Sequence, residues 1–218
     1  MQDLPAPLAV PAAGDLGPGL TLFRGYLDEA AQRALLSEIQ EAVREAPWFV
    51  PRMPRTGHAF SVRMTNCGPL GWVSDQEGGY RYQEMHPGTG KPWPPLPASL
   101  LGIWRDVSDY RHPPEACLVN LYGRGARMGP HQDRDEAALD APVVSISLGD
   151  RCCFRYGGLR RSDPSAKLTL CSGDVLVMGG PSRLVFHGVD RIYPGSSPLL
   201  PGGGRINLTL RRVTRPRT

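Results

Sequence analysis

The sequence predicts a mostly β protein with flanking helices: a double-stranded β-helix, or jelly-roll, behind an N-terminal α/β layer. Three observations predict it. Glycine and proline are abundant, 26 and 23 of 218 residues, which favours turns and short strands over a helix bundle. From Cys117 onward eight short strand-like stretches follow one another, at about 117–122, 127–133, 142–148, 151–156, 167–171, 174–178, 183–188 and 205–212, with Gly, Pro or Asp in most of the gaps. Eight short strands suit two packed sheets that can hold a site between them. Helical periodicity, in contrast, is confined to two stretches before residue 117.

In chain order, residues 1–19 are rich in Pro, Ala and Gly and read as a loose arm. Leu20–Arg24 is strand-like. Asp28 is placed to cap a helix whose apolar stripe is Leu35, Leu36, Ile39 and Val43, and Pro47 stops it. A second helix is expected over Ala98–Ser108, with Leu100, Leu101, Trp104 and Val107 as its apolar face. Between the helices, Phe60, Val62 and Met64 alternate as in a strand. Trp72, Tyr80, Tyr82 and Trp93 then stand among Gly and Pro, interleaved with Arg52, Arg55, Arg63, Arg81 and Lys91. Rings beside cations are what a base-binding surface needs; a surface loop with its rings turned inward has the same composition. The expected division is a loose arm (1–19), an N-terminal extension and lid (20–116), a jelly-roll core (117–213) forming one integrated domain, and a basic tail (214–218).

Composition narrows the function classes. The net charge of +4 is mild and does not itself imply a nucleic-acid partner. Five scattered cysteines, Cys67, Cys117, Cys152, Cys153 and Cys171, contain no C-x-x-C. That argues against a disulfide framework or Cys-rich zinc site and for a reducing compartment, the cytoplasm. No apolar run approaches the roughly 20 residues of a membrane span. The N-terminus has no basic residue before Arg24 and reads unlike a signal peptide.

The chemistry concentrates in Pro130-His131-Gln132-Asp133. Residues two apart on a strand share a face, so His131 and Asp133 would converge, and His187 follows an apolar run 54 residues later. Two imidazoles and one carboxylate form the facial set that holds Fe(II) and leaves positions open for oxygen and a co-substrate. Alone, H-x-D is a weak signal, and on spacing alone a hydrogen-bonded His-Asp pair is the commoner explanation. The context is the last strand, on which Arg205, Asn207, Thr209 and Arg211 share one face and Ile206, Leu208 and Leu210 the other. Its polar face points either to water or into the barrel, where each Arg can grip a carboxylate through a bidentate fork. Asn120 and Tyr122 offer further donors.

Together, Asn120-Leu121-Tyr122, His131-Gln132-Asp133-Arg134-Asp135-Glu136, His187 and the strand from Arg205 to Arg211 resemble the AlkB family of Fe(II)/2-oxoglutarate dioxygenases, and in particular its bacterial DNA-repair members. Thr65-Asn66-Cys67-Gly68, Gly71-Trp72, Lys91-Pro92-Trp93-Pro94, Val144–Gly149 and Gly157-Gly158-Leu159 add to the likeness, which covers nearly the whole chain. The resemblance implies that His131, Asp133 and His187 bind iron. It implies that Asn120, Tyr122, Arg205, Asn207, Thr209 and Arg211 hold 2-oxoglutarate, with O2 as the second co-substrate. It assigns Met64, Trp72, Tyr80, Arg81, Tyr82, Asp135 and Arg161 to the substrate, with Trp72 and His131 on either side of a flipped base.

The implied reaction is oxidative demethylation of bases such as 1-methyladenine and 3-methylcytosine in DNA, or alternatively RNA, with release of formaldehyde by a monomeric enzyme. A cationic methylated base pairs poorly and costs less to extrude. One departure is Met178, where the best-known bacterial members carry Trp. Two other readings are a dioxygenase acting on protein, lipid or a small metabolite, and a metal-free jelly-roll binding module.

Overall fold

The computed structural model describes residues 13–216. The elements are β1 (Ala13–Asp15), β2 (Leu20–Phe23), α1 (Glu29–Glu45), β3 (Val62–Cys67), β4 (Gly71–Asp75), β5 (Gly79–Gln83), α2 (Ala98–Val107), β6 (Ala116–Tyr122), β7 (Met128–His131), β8 (Val143–Gly149), β9 (Cys152–Tyr156), β10 (Ala166–Leu170), β11 (Val175–Met178), β12 (His187–Ile192) and β13 (Arg205–Arg211). A seven-stranded sheet runs β1-β2-β11-β8-β13-β6-β3, a four-stranded sheet runs β10-β9-β12-β7, and β4-β5 form a separate hairpin. All pairings are antiparallel. This is a jelly-roll with helices against its larger sheet.

The helices form where their caps and stripes place them. Asp28 is extended, and its carboxylate accepts from the Ala31 amide at 2.8 Å, satisfying one of the free donors of the first turn. Glu29 in the first turn and Arg44 in the last complement the helix dipole. Leu35, Leu36 and Ile39 of α1, and Leu100, Ile103 and Trp104 of α2, pack on the outer face of the large sheet against Val144, Ile146, Ile206, Leu208 and Leu210. Leu101, expected on the apolar face of α2, is instead exposed: the burial stripe runs 100, 103, 104 and leaves position 101 facing water.

The inner face of the same sheet looks toward the small sheet. There Leu20, Leu22, Leu118, Tyr122, Val143, Leu176 and Met178 meet Phe154, Val189 and Ile192. One strand, β13, serves both faces from inside the sheet, paired with β6 and β8 along its whole length.

Three expectations change. Ala13–Asp15 is not loose but pairs with β2; residues 1–12 lie outside the described residues. The strand anticipated at 127–133 ends at His131. The strand anticipated at 183–188 begins only at His187, because a 3-10 turn at Gly180–Ser182 precedes it and Leu184–Phe186 run as loop. Beyond β13, Glu115 accepts from the Val213 and Thr214 amides, and Arg215 donates to the Ala137 carbonyl, so the start of the basic tail is anchored. Residues 217–218 lie outside the described residues. Among the described residues no helix is long and apolar enough to cross a membrane.

Candidate active site

His131 closes β7 and His187 opens β12, and the two are direct cross-strand partners. That register puts both imidazoles on one face, with ring centroids 4.5 Å apart. The strands approach closely because residue 188 is glycine: a Cβ there would sit 2.5 Å from the Met128 carbonyl oxygen. Each imidazole Nδ1 lies on a backbone oxygen, Gly129 O at 3.0 Å and Val185 O at 3.1 Å. A carbonyl can only accept, so each Nδ1 carries the proton and each Nε2 presents its lone pair.

Asp133 lies past the end of β7, so strand alternation does not aim it. Two cross-links to the segment ahead of His187 do. Gln132 Nε2 donates to Leu184 O at 2.6 Å, and Arg183 Nη1 donates to Asp133 O at 2.5 Å. The carboxylate thereby faces both imidazoles, 3.8 Å from each Nε2. The three ligand atoms lie within 4.8 Å of one another and could hold one metal ion.

The electrostatics suit that use. Burial pushes the Asp133 pKa up, but the Arg211 guanidinium, with the two imidazoles, outweighs it and holds the carboxyl well below its usual range. Burial, reinforced by His131, lowers the His187 pKa to about 4, so its ring is neutral at neutral pH.

The triad opens into a cavity of about 1050 Å³ between the sheets. Arg205, Asn207, Thr209 and Arg211 all line it, and so do Asn120, Tyr122 and Met178. Arg205 is 1% exposed. Its Nη2 donates to Ser147 Oγ at 2.9 Å, while its Nε and Nη1, like Asn120 Oδ1, have no protein partner. Arg211 grips Asp133 with Nη2 at 2.8 Å and Nε at 3.3 Å. Asn207 donates to Ser145 Oγ at 2.8 Å and accepts from Thr209. Met64, Trp72, Tyr80, Asp135 and Arg161 line the same cavity, Met64 as the cross-strand partner of Asn120. Trp72 stacks on Tyr80 at 5.6 Å, its Nε1 donates to Asp135 Oδ2 at 2.9 Å, and Arg161 lies over the Phe186 ring.

The 2OG-Fe(II) oxygenase superfamily model matches residues 19–211. The alpha-ketoglutarate-dependent dioxygenase AlkB homolog of Caulobacter vibrioides is 56% identical over 90% of this chain and 88% of its own length. The corresponding AlkB of Escherichia coli is 40% identical over 94% of this chain and 95% of its own length. This chain belongs to the AlkB family of Fe(II)/2-oxoglutarate-dependent dioxygenases. Among solved structures, OsALKBH1 superimposes with a TM-score of 0.77 at 32% identity, covering 91% of this chain and all of that one. A DNA N(6)-methyladenine demethylase of Arabidopsis thaliana is 46% identical over 45% of this chain, but only 24% of its own length.

The residues of this AlkB-family enzyme fit the group its family uses. The donor set is two imidazoles and a carboxylate with no thiolate, suited to a non-haem Fe(II). A buried guanidinium with two unfilled donors is costly unless an anion meets it, and a carboxylate of 2-oxoglutarate has the matching fork.

Two residues expected at the substrate lie elsewhere. Arg81 is on the opposite face of β5 from Tyr80 and does not line the cavity; its Nη2 pairs with Asp75 at 2.8 Å. Tyr82 shares the face of Tyr80, but its hydroxyl turns inward to Glu136 and Arg211. Sequence reasoning gave no role to Gln132, Ser145 and Ser147, although they lie in the resembling segments, and passed over Arg183. The two serines carried a signal, since they alternate with apolar residues on β8, across from Asn207 and Thr209.

Proposed function

We propose that this dioxygenase removes N-linked methyl groups from nucleobases of the 1-methyladenine and 3-methylcytosine type, in DNA or alternatively RNA. The single observation that carries this reading is the placement of Trp72. It is an indole on the β4–β5 hairpin that lines the same cavity as the His131–Asp133–His187 triad, stacked on Tyr80 and tied to Asp135, two residues past Asp133. A planar ring there can stack on an extruded base, and a carboxylate beside it favours a cationic ring or an exocyclic amino group.

His131, Asp133 and His187 would hold the iron. Arg205, with Tyr122 beside it, would fix the remote carboxylate of 2-oxoglutarate, and Arg211, Asn120, Asn207 and Thr209 would orient the chelating end. When bound, Fe(II) with 2-oxoglutarate and O2 supplies the hydroxylation of the methyl carbon, leaving succinate and carbon dioxide. The chain's own part is positioning. The two backbone carbonyls fix the imidazole tautomers, Ser147 aims Arg205, and Trp72 with Asp135 sets which face of the base meets the metal. The hydroxymethylated base then loses formaldehyde.

The free state of all five cysteines supports placement in the cytoplasm, and we read the enzyme as a monomer. Within segment 20–116, the separate β4–β5 hairpin that carries Trp72 would be the nucleotide-recognition layer; β2 and β3 of the expected extension are instead strands of the large sheet, and its helices pack on that sheet. The test is formaldehyde release from single- and double-stranded oligonucleotides, DNA and RNA, carrying each methylated base. Turnover of 2-oxoglutarate without demethylation of any of them would redirect the search to other substrates.

A further inference from the structure

Asp133 and Arg211 belong to a buried ion network whose other two charged members, Arg183 and Glu136, have no part in the reaction as described. Arg183 and Glu136 are 3% and 5% exposed. Arg183 commits its whole fork to the interior. Nε donates to Ala141 O at 2.8 Å, Nη1 to Asp133 O at 2.5 Å and Nη2 to Glu136 Oε2 at 3.0 Å. The other Glu136 oxygen accepts from the Tyr82 hydroxyl at 2.5 Å and lies 3.4 Å from Arg211 Nε. Arg211 grips Asp133 and also donates to the Tyr82 hydroxyl at 3.3 Å. Two guanidinium groups thus balance two carboxylates, the condition under which buried charges are tolerated. Burial pushes the Tyr82 pKa well up, so its phenol keeps the proton it donates.

A metal ion on Asp133 disturbs this balance. A carboxylate oxygen that coordinates a cation accepts more weakly from a guanidinium, and Arg211 then needs another counter-charge. Glu136 Oε1 is within reach. Both oxygens of Glu136 are already engaged by the protein, which leaves it poorly placed to meet a base.

We propose that Glu136, oriented by Arg183 and Tyr82, is a positioning residue that supports Arg211 and so frees Asp133 for the metal. The inference rests on Asp133 being a metal ligand. It assigns Tyr82 to metal affinity and not to base contact, and it links the β4–β5 hairpin to the metal centre through one hydroxyl.

The test is calorimetric binding of Mn(II) and Co(II) to the full-length metal-free protein, without turnover. Glu136→Gln, nearly isosteric, should weaken metal binding at least tenfold, in the range of about 10–100-fold found for outer partners of metal ligands. Tyr82→Phe should weaken it by a smaller factor. Binding of a methylated oligonucleotide to the metal-free variants should stay within about twofold of the parent, as these groups support the metal ligand and not the base. Melting curves establish folding; if Glu136→Gln does not fold, Tyr82→Phe, which removes no charge, carries the test. Parent-like metal affinity in the folded variants, or a loss confined to oligonucleotide binding, overturns the proposal. Asp133→Ala is the control. Undiminished metal binding there overturns the premise, a failure distinct from that of Glu136.

Discussion

Trp72 and Asp135 are joined by an indole hydrogen bond of 2.9 Å, although they lie 63 residues apart and on different layers of the molecule. The bond fixes the rotation of the indole over the cavity and gives the carboxylate a defined direction two residues past Asp133. Trp72→Ala should therefore weaken oligonucleotide binding by about 1–3 kcal/mol, the worth of one base–aromatic stack, and leave 2-oxoglutarate affinity unchanged. Asp135→Ala should alter the ranking of methylated adenine against methylated cytosine more than it alters metal binding. Turnover profiles across the two bases, with titrations of both ligands, check the pair. A parent-like ranking and affinity in both variants would show that the base sits elsewhere.

Arg205→Ala should raise the dissociation constant for 2-oxoglutarate at least tenfold, since removing one partner of a buried charged hydrogen bond commonly costs about 2–5 kcal/mol. Ser147→Ala, which frees the third nitrogen of the same fork, should have a smaller effect in the same direction. Calorimetric titration of 2-oxoglutarate separates this from any change in turnover. An unchanged constant for Arg205→Ala would remove it from the co-substrate site.

Asp133→Ala should abolish turnover and also lower the melting temperature. Asp133 is buried and gripped by Arg211, and breaking a buried pair from one side costs about 3–5 kcal/mol; Glu136, still beside Arg211, should reduce that. Asp133→Asn keeps the shape and should retain more stability while still losing turnover. Full demethylation by either folded variant, with Fe(II) supplied, contradicts the triad assignment.

Acid should destabilise the metal-free protein well above the carboxylate range. Burial holds the folded-state pKa of His187 at about 4, against an ordinary 6.5. Between those values the unfolded chain binds the extra proton and the folded one does not, so stability falls as the pH drops through that window. The full loss is on the order of 3 kcal/mol. Denaturant midpoints of parent and His187→Gln at pH 7 and pH 4.5 check it: the parent should lose more than the variant, and equal losses would contradict it.

Much of this architecture is legible in the sequence because it follows period-two alternation. Seven of the eight strands from Ala116 onward stand close to their expected places, β12 being displaced toward the C-terminus, and the alternation of Arg205–Arg211 against Ile206–Leu210 is resolved by burial of both faces. The same rule could have separated Arg81 from Tyr80 and Tyr82, since neighbours on a strand point to opposite faces. What escaped depends on long-range pairing. Leu184–Phe186 look like a strand, yet their carbonyls are used by Gln132 and by the His187 ring, which no local pattern encodes. Arg183 is a single arginine after Pro181 and Ser182, and in the sequence nothing distinguishes it from a surface charge. The opposition of His131 to His187 depends on the pairing of β7 with β12 and an irregular register beside Gly188.

The two-faced role of β13 has a consequence for inheritance. Its odd-numbered positions line the cavity and its even-numbered positions seat the helices, so seven consecutive codons encode two kinds of failure. Substitutions at 205, 207 and 209 should act first on the work of the site, those at 206, 208 and 210 on accumulation of the protein, and those at 211 on both, because Arg211 is the buried partner of Asp133. A deletion of a single codon here would exchange the two sets, placing guanidinium groups against α1 and α2 and aliphatic chains around the cavity. A lineage can therefore explore this strand one position at a time but cannot change its length by one residue.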